Sequence, residues 1–157
     1  MKRIAIFADI QNINDTTRHA FDRQFNYRAF WQHISTQGDI VSAVAYTIFR
    51  NNDKQRQFLV ALKQIGFDIK RKPFIQRANN SRKGDWDVGI AIDILHTAKH
   101  VDIVVLLSGD EDFDLLLEKI RQDSTISAEV YGVPSLTAMS LIDAASIYHP
   151  IGDQLLL

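Results

Sequence analysis

VDIVVLLSGDEDFD, residues 101–114, decides how this chain is read. Val101 to Leu107 is pure strand in character: β-branched and apolar, with one acid near its start. Six of the nine residues from Leu106 to Asp114 are then small or acidic, and Phe113 opens a helical pattern. A buried strand therefore ends and at once presents Ser108, Gly109, Asp110 and Asp112 at its carboxyl edge. That edge is where open α/β sheets bind ligands. A second apolar run, Arg3 to Ala8, ends the same way, with Asp9 and then Asn12 in ADIQNIN. Two neighbouring strands tipped with carboxylates make a cradle for a divalent cation.

Outward from these two runs the pattern alternates. Further strand-like stretches are Ile40 to Phe49, Asp68 to Phe74 and Ser127 to Tyr131, with Ser146 to His149 as a last short one. Between them, helical patterns cover Tyr27 to Thr36, Asp53 to Ile65, Asp85 to Ala98, Phe113 to Gln122 and Ser135 to Ala144. The second begins after a capping asparagine, Asn51 or Asn52, and stops at Gly66. The third is almost wholly apolar in its middle, which predicts a buried helix. Alternating βα units predict a three-layer α/β domain with a mostly parallel central sheet. One loop-like stretch stands out, Gln76 to Gly84 (QRANNSRKG).

In a βα unit the helix starts near the carboxyl edge of the sheet. Asp87 falls in the first turn of the buried helix that leads into strand 101–107. The next residues on its face, Ile90, Ala91 and Ile94, are apolar, so this acid is not simply solvated. Asp93 lies six residues on, about 9 Å down the axis at ~1.5 Å per residue, and points roughly 120° away. It ranks below Asp87, as a supporting or structural acid. The expected pocket is thus Asp9, Asp87, Asp110 and Asp112, with Asn12 and Ser108 orienting carboxylates or an attacking water. Four crowded carboxylates raise one another's pKa unless a cation is present. Hard oxygen ligands suit Mg²⁺ or Mn²⁺, ions that also bind phosphates and activate water. Each acid alone has a plainer reading: Asp9 or Asp112 as a helix cap, Asp87 as a cap or a partner of Lys83. Three separate segments delivering acid to one edge favour a site.

Composition narrows the classes. The 157 residues suit one ordinary domain, 1–157, with a full core. Apolar residues make up 46% and charged ones 24%, as in soluble globular proteins. A net charge of -1 argues against non-specific attraction to nucleic acid over the whole surface. The absence of cysteine excludes disulfides and thiolate zinc sites. No apolar run reaches the ~20 residues of a membrane span, and the amino terminus lacks a signal-peptide core. A cytoplasmic location is expected.

These segments together resemble a known family. FADIQNIN, KGDWDVGIAIDIL and LLSGDEDFDLLL are similar to the motifs of the NYN domain, in the LabA-like branch of the PIN-like nuclease superfamily. The likeness runs from Ile4 to about Tyr148. It implies a Rossmann-like sheet of strand order 3-2-1-4-5 and metal-dependent cleavage of RNA. The implied site residues are Asp9, Asn12, Asp87, Asp110 and Asp112, and Asp93 also matches a position usually acidic there. Where the family commonly has serine between the two acids of its SGDSDF-type motif, this chain has Glu111.

Other features bear on substrate and partners. Lys70, Arg71, Lys72, Arg77, Arg82 and Lys83 place six cations in fourteen residues, with Phe74 among them. This segment could hold a phosphate backbone and stack a base, making single-stranded RNA the expected partner and Arg77, Arg82 and Lys83 the expected contacts. The plainer reading is a solvated edge with Phe74 in the core. His96 and His100 have ligand spacing on a helix but fall at its far end, where they suit the helix dipole. Trp86, between two acids, packs or lines the pocket. Leu155, Leu156 and Leu157 dock on the body or on a second subunit, so a homodimer is open. A haloacid-type phosphatase would need DxD on the first strand, but Asp9 is followed by Ile10 and Gln11. The rival to a Mg²⁺- or Mn²⁺-dependent ribonuclease is a non-catalytic RNA-binding or regulatory protein on the same fold. Four carboxylates argue against it, since binding a polyanion gains nothing from them.

Overall fold

The computed structural model describes residues 1–73, 75–76, 82–83 and 85–157, the side chains of 49, 73, 75, 76, 82 and 83 excepted. Phe74 and Arg77 lie outside the described residues, and Arg82 and Lys83 are described by their backbone alone.

Six strands form one sheet: β1 (Arg3–Asp9), β2 (Asp39–Phe49), β3 (Asp68–Pro73), β6 (Ile103–Leu107), β7 (Ser127–Gly132) and β8 (Ile147–Pro150). Every pairing within it is parallel, in the order β3-β2-β1-β6-β7-β8. Counting only these strands, the order is 3-2-1-4-5-6. The expected 3-2-1-4-5 order is extended by the short last strand at the β7 edge. A separate antiparallel ribbon, β4 (Ile75–Gln76) with β5 (Arg82–Lys83), forms within the stretch read as a loop.

Both faces of the sheet are covered, which explains why the central strands are continuously apolar rather than alternating. Ile4, Ile6 and Ala8 of β1 and Ile103, Val105 and Leu107 of β6 enter one core. Helices α1 (Ile10–Phe21), α2 (Tyr27–Ser35) and α3 (Asp53–Ile65) cover it, through Ile13, Phe30, Ile34 and Leu62 among others. The intervening residues Ala5, Phe7, Val104 and Leu106 enter a second core. Above that one lie α4 (Asp87–Ala98), α5 (Asp114–Arg121) and α6 (Met139–Ala144). The carboxyl terminus docks on the body: Leu156 is buried and bridges to Phe25.

Two elements differ from expectation. The sequence pattern announces no helix after Asp9, yet α1 forms there. Asn12, Asn14, Asp15, Thr16 and Thr17 are poor helix formers that mask the buried positions Ile10, Ile13 and Thr17. Burial against β1 and β2 overrides propensity. Conversely α4, read as a buried helix, is buried along one face only, through Ile90, Ile94 and Ala98. By contrast α3 keeps its expected bounds: the Asn52 side chain accepts from the Gln55 amide, and Gly66 ends the helix at φ 137°. Among the described residues no helix is long and apolar enough to cross a membrane.

Candidate metal centre

The chain runs from β1 outward through β2 to β3. It then crosses back through α4 to β6, on the other side of β1. The carboxyl ends of β1 and β6 therefore flank the point where the strand order reverses, and a crevice opens at such a point. Asp9 ends β1 and Ser108 follows β6 directly. The start of α4 lies above the same crevice, because α4 packs on both strands.

Here Asp87, Asp110 and Asp112 each offer a carboxylate oxygen within 4.8 Å of the other two. Two oxygens bound to one Mg²⁺ stand at most roughly 4.2 Å apart, given ~2.1 Å bonds. Adjacent oxygens on one octahedral ion stand only roughly 3.0 Å apart, so the three acids must draw inward to share it, and their chemistry suits a hard cation. Asp9 is not a member of this trio, but it lies near enough for Asp110 to act on it electrostatically.

The loop between β6 and α5 is held from three sides. Ser108, fully buried, donates its hydroxyl to Asp9 Oδ2 at 3.2 Å and accepts from the Asp110 amide at 3.2 Å. The Gly109 amide donates to Asn12 Oδ1 at 3.0 Å. Asp110 caps the following short turn, its Oδ1 accepting from the Asp112 amide at 3.0 Å. The Gly109 carbonyl accepts from Ala138 N. A Cβ at Gly109 would meet the Leu136 carbonyl oxygen at 2.8 Å, so only glycine fits this approach without backbone movement. Asn12 and Ser108 therefore position the acidic loop itself.

Crowding shows in the acids. Asp87 is pushed up to about 8, first by burial, then by Asp110, by hydrogen bonds with Asp110 and Asp112, and by Asp85. Asp9 is pushed up to about 6 by burial, with Asp110 and Asp85 adding and the Asn12 amide and Ser108 opposing. These groups hold protons where isolated carboxylates would not, as carboxylates crowded together without a cation do.

Sequence reasoning passed over Asp85. It acts on both Asp9 and Asp87, and its Oδ1 accepts from the Asp87 amide at 3.3 Å. Its signal was the DWD spacing in KGDWDVG. Asp93 stands outside the trio. Burial alone would raise its pKa, but Lys70 Nζ at 2.6 Å and the Tyr46 hydroxyl at 2.7 Å hold it below the ordinary carboxylate range. Glu111 is exposed on the turn and is no part of the trio. Lys70 is thus engaged with Asp93, and Lys72 sits 4.6 Å over the Trp86 ring, whose indole donates to the Thr47 carbonyl. His96 and His100 approach each other, with ring centroids at 6.4 Å, but join no metal-binding group among the described residues.

The model of the NYN domain matches residues 3–152. The chain belongs to the NYN domain family. It is 30% identical to the low amplitude and bright protein LabA of Synechococcus elongatus, over 96% of this chain and 84% of that protein. A solved structure of a Vibrio parahaemolyticus protein of unknown function superposes with a TM-score of 0.94 at 47% identity, covering 99% of this chain and 96% of that one. The NYN fold belongs to the PIN-like nuclease superfamily, so the acid cluster lies on a nuclease-type scaffold.

Proposed function

We propose that this NYN domain is a Mg²⁺- or Mn²⁺-dependent ribonuclease that hydrolyses phosphodiester bonds of single-stranded RNA. One observation carries the reading: Asp87, Asp110 and Asp112 come from two separate segments and converge within 4.8 Å at the strand-order reversal. Pure binding of a polyanion would be opposed by such a cluster.

Asp87, Asp110 and Asp112 would hold the ion, with Asp9 beside them to share it or to orient a water. When bound, the metal supplies a water of lowered pKa and stabilises charge developing on the phosphate. Ser108 and Asn12 keep Asp9 and the 109–112 loop in register. Asp85 adds negative charge that strengthens cation binding. Arg77, Arg82 and Lys83 belong to the proposed RNA path, and a cytoplasmic location to the same reading.

The test compares cleavage of single-stranded RNA by the wild type and Asp110→Asn, purified identically, with Mg²⁺, with Mn²⁺ and with EDTA. The reading requires turnover by the wild type with either metal, and its loss in the variant and in EDTA. Equal cleavage by both proteins would mark a contaminant and sink the proposal.

A further inference from the structure

Trp86 stands at the N-cap of α4, yet its side chain caps nothing. Ser, Thr, Asp or Asn at that position would satisfy a free helix amide. The indole is held in place by other contacts. Its Nε1 donates to the Thr47 carbonyl at 2.8 Å, near the carboxyl end of β2. The buried Tyr46 ring lies 5.4 Å away, centroid to centroid. Gly89, three residues along α4, makes room for the indole: a Cβ there would meet Trp86 Cε3 at 2.7 Å. The ring is half-buried, and Lys72 Nζ sits over it at 4.6 Å. Lys72 differs from Lys70, which is bound to Asp93. Among the described residues Lys72 has the Trp86 ring and no carboxylate partner. It lies near the carboxyl end of β3, and Trp86 is flanked in sequence by Asp85 and Asp87 of the acid crevice.

We infer that Trp86 is the stacking platform for one unpaired base of the RNA, and that Lys72 leaves the ring for the adjoining phosphate when the base arrives. The inference rests on the RNA substrate proposed above. Magnitudes favour the exchange. A cation over a partly exposed ring is worth about two- to fivefold in an equilibrium. A base stacked on an aromatic ring is worth about five- to a hundredfold. The base therefore wins the ring, and the displaced ammonium gains a phosphate, with release of counterions. A base lying flat on Trp86 cannot also lie in a duplex stack, so this ring gives a preference for single strands a physical cause. Trp86 directly precedes Asp87, so the stacked nucleotide sits beside the metal centre and fixes which phosphodiester faces the acids.

The chain has two tryptophans, and the other, Trp31, packs on Phe67 and Gly66. Trp86→Phe therefore identifies the emission of Trp86. The probes are a uridine oligomer and an abasic oligomer of equal length and charge, both in EDTA so that neither is cleaved. The uridine oligomer should quench the wild type saturably and leave Trp86→Phe unchanged. The abasic oligomer should quench neither. By anisotropy of labelled oligomers, Trp86→Ala should bind the uridine oligomer about tenfold or more weakly, and the abasic one as the wild type does. Trp86→Phe keeps a ring and should retain most of the affinity, which separates lost stacking from a failure to fold. Lys72→Gln should weaken both oligomers and lower the salt dependence by about one counterion. Binding of the uridine oligomer without quenching, or with equal affinity in Trp86→Ala, overturns the inference and leaves the ribonuclease reading intact. Equal weakening of both oligomers by Trp86→Ala overturns it too, because the ring would then only support the fold. A protein that binds neither oligomer removes the RNA reading together with the inference.

Discussion

At the residue scale the chemistry rests on how much carboxylate the crevice can tolerate without a cation. In the metal-free fold burial and the neighbouring acids push Asp87 up to about 8, against about 3.9 in an unfolded chain. The native state therefore holds the additional proton between those values, and Asp9 does the same up to about pH 6. Stability should decline as pH rises through that window, because the folded form must give up protons that the unfolded chain has already lost. In EDTA the thermal midpoint is expected to fall between pH 5 and pH 8. With Mg²⁺ or Mn²⁺ present the fall should shrink, since metal binding displaces those protons. A midpoint that climbs across this range in EDTA would show that the acids do not crowd. Asp110→Asn tests the same point differently. Asparagine keeps the oxygen that caps the Asp112 amide but removes a charge that acts on Asp9 and Asp87. Its metal-free midpoint should equal or exceed that of the wild type, while metal no longer protects it. A marked drop in EDTA would mean that Asp110 has a structural role beyond its cap.

At the scale of elements the site depends on one short loop. Gly109 lies between the Asn12 side chain and the backbone of residues 136–138. Gly109→Ala should cost about 1–3 kcal/mol of stability, the usual range for forcing a methyl into a packed place. It should also weaken metal binding, because Asp110 and Asp112 move with the loop. Gly152→Ala is the control, since a Cβ there meets nothing within 4 Å. Denaturant titration of both variants compares the two. Equal stabilities would show that the loop yields freely. The elements also mark where the chain could be read in advance. Asn52 and Gly66 punctuate α3 so plainly that its bounds follow from them. The Asn- and Thr-rich α1 carries no such signal, because its helical state depends on burial beneath β1 and β2 rather than on its own preferences.

At the scale of the molecule, cation binding should act on the whole fold. A ligand that binds only the native state adds about 2.7 kcal/mol at a hundred times its Kd. Saturating Mg²⁺ or Mn²⁺ should therefore raise the wild-type midpoint measurably and leave Asp110→Asn unmoved. Equal protection of both proteins would place the cation elsewhere. The α/β class, the parallel sheet and the acids at the ends of β1 and β6 were legible in the sequence, because apolar runs bounded by acids and small residues have local causes. So was the start of α4, since a helix that enters β6 must begin near the sheet's carboxyl edge. Tertiary structure alone decided the rest. It separated Asp9 from the trio and brought Asp85 in beside it, because carboxylate distances depend on how α4 lies across two strands. It turned Asp93 toward Lys70 and Tyr46, partners 23 and 47 residues away in the chain. It also left half of an apolar helix facing outward. Periodicity shows that a helix is apolar, but only the packed sheet determines which of its faces find a neighbour within the same chain.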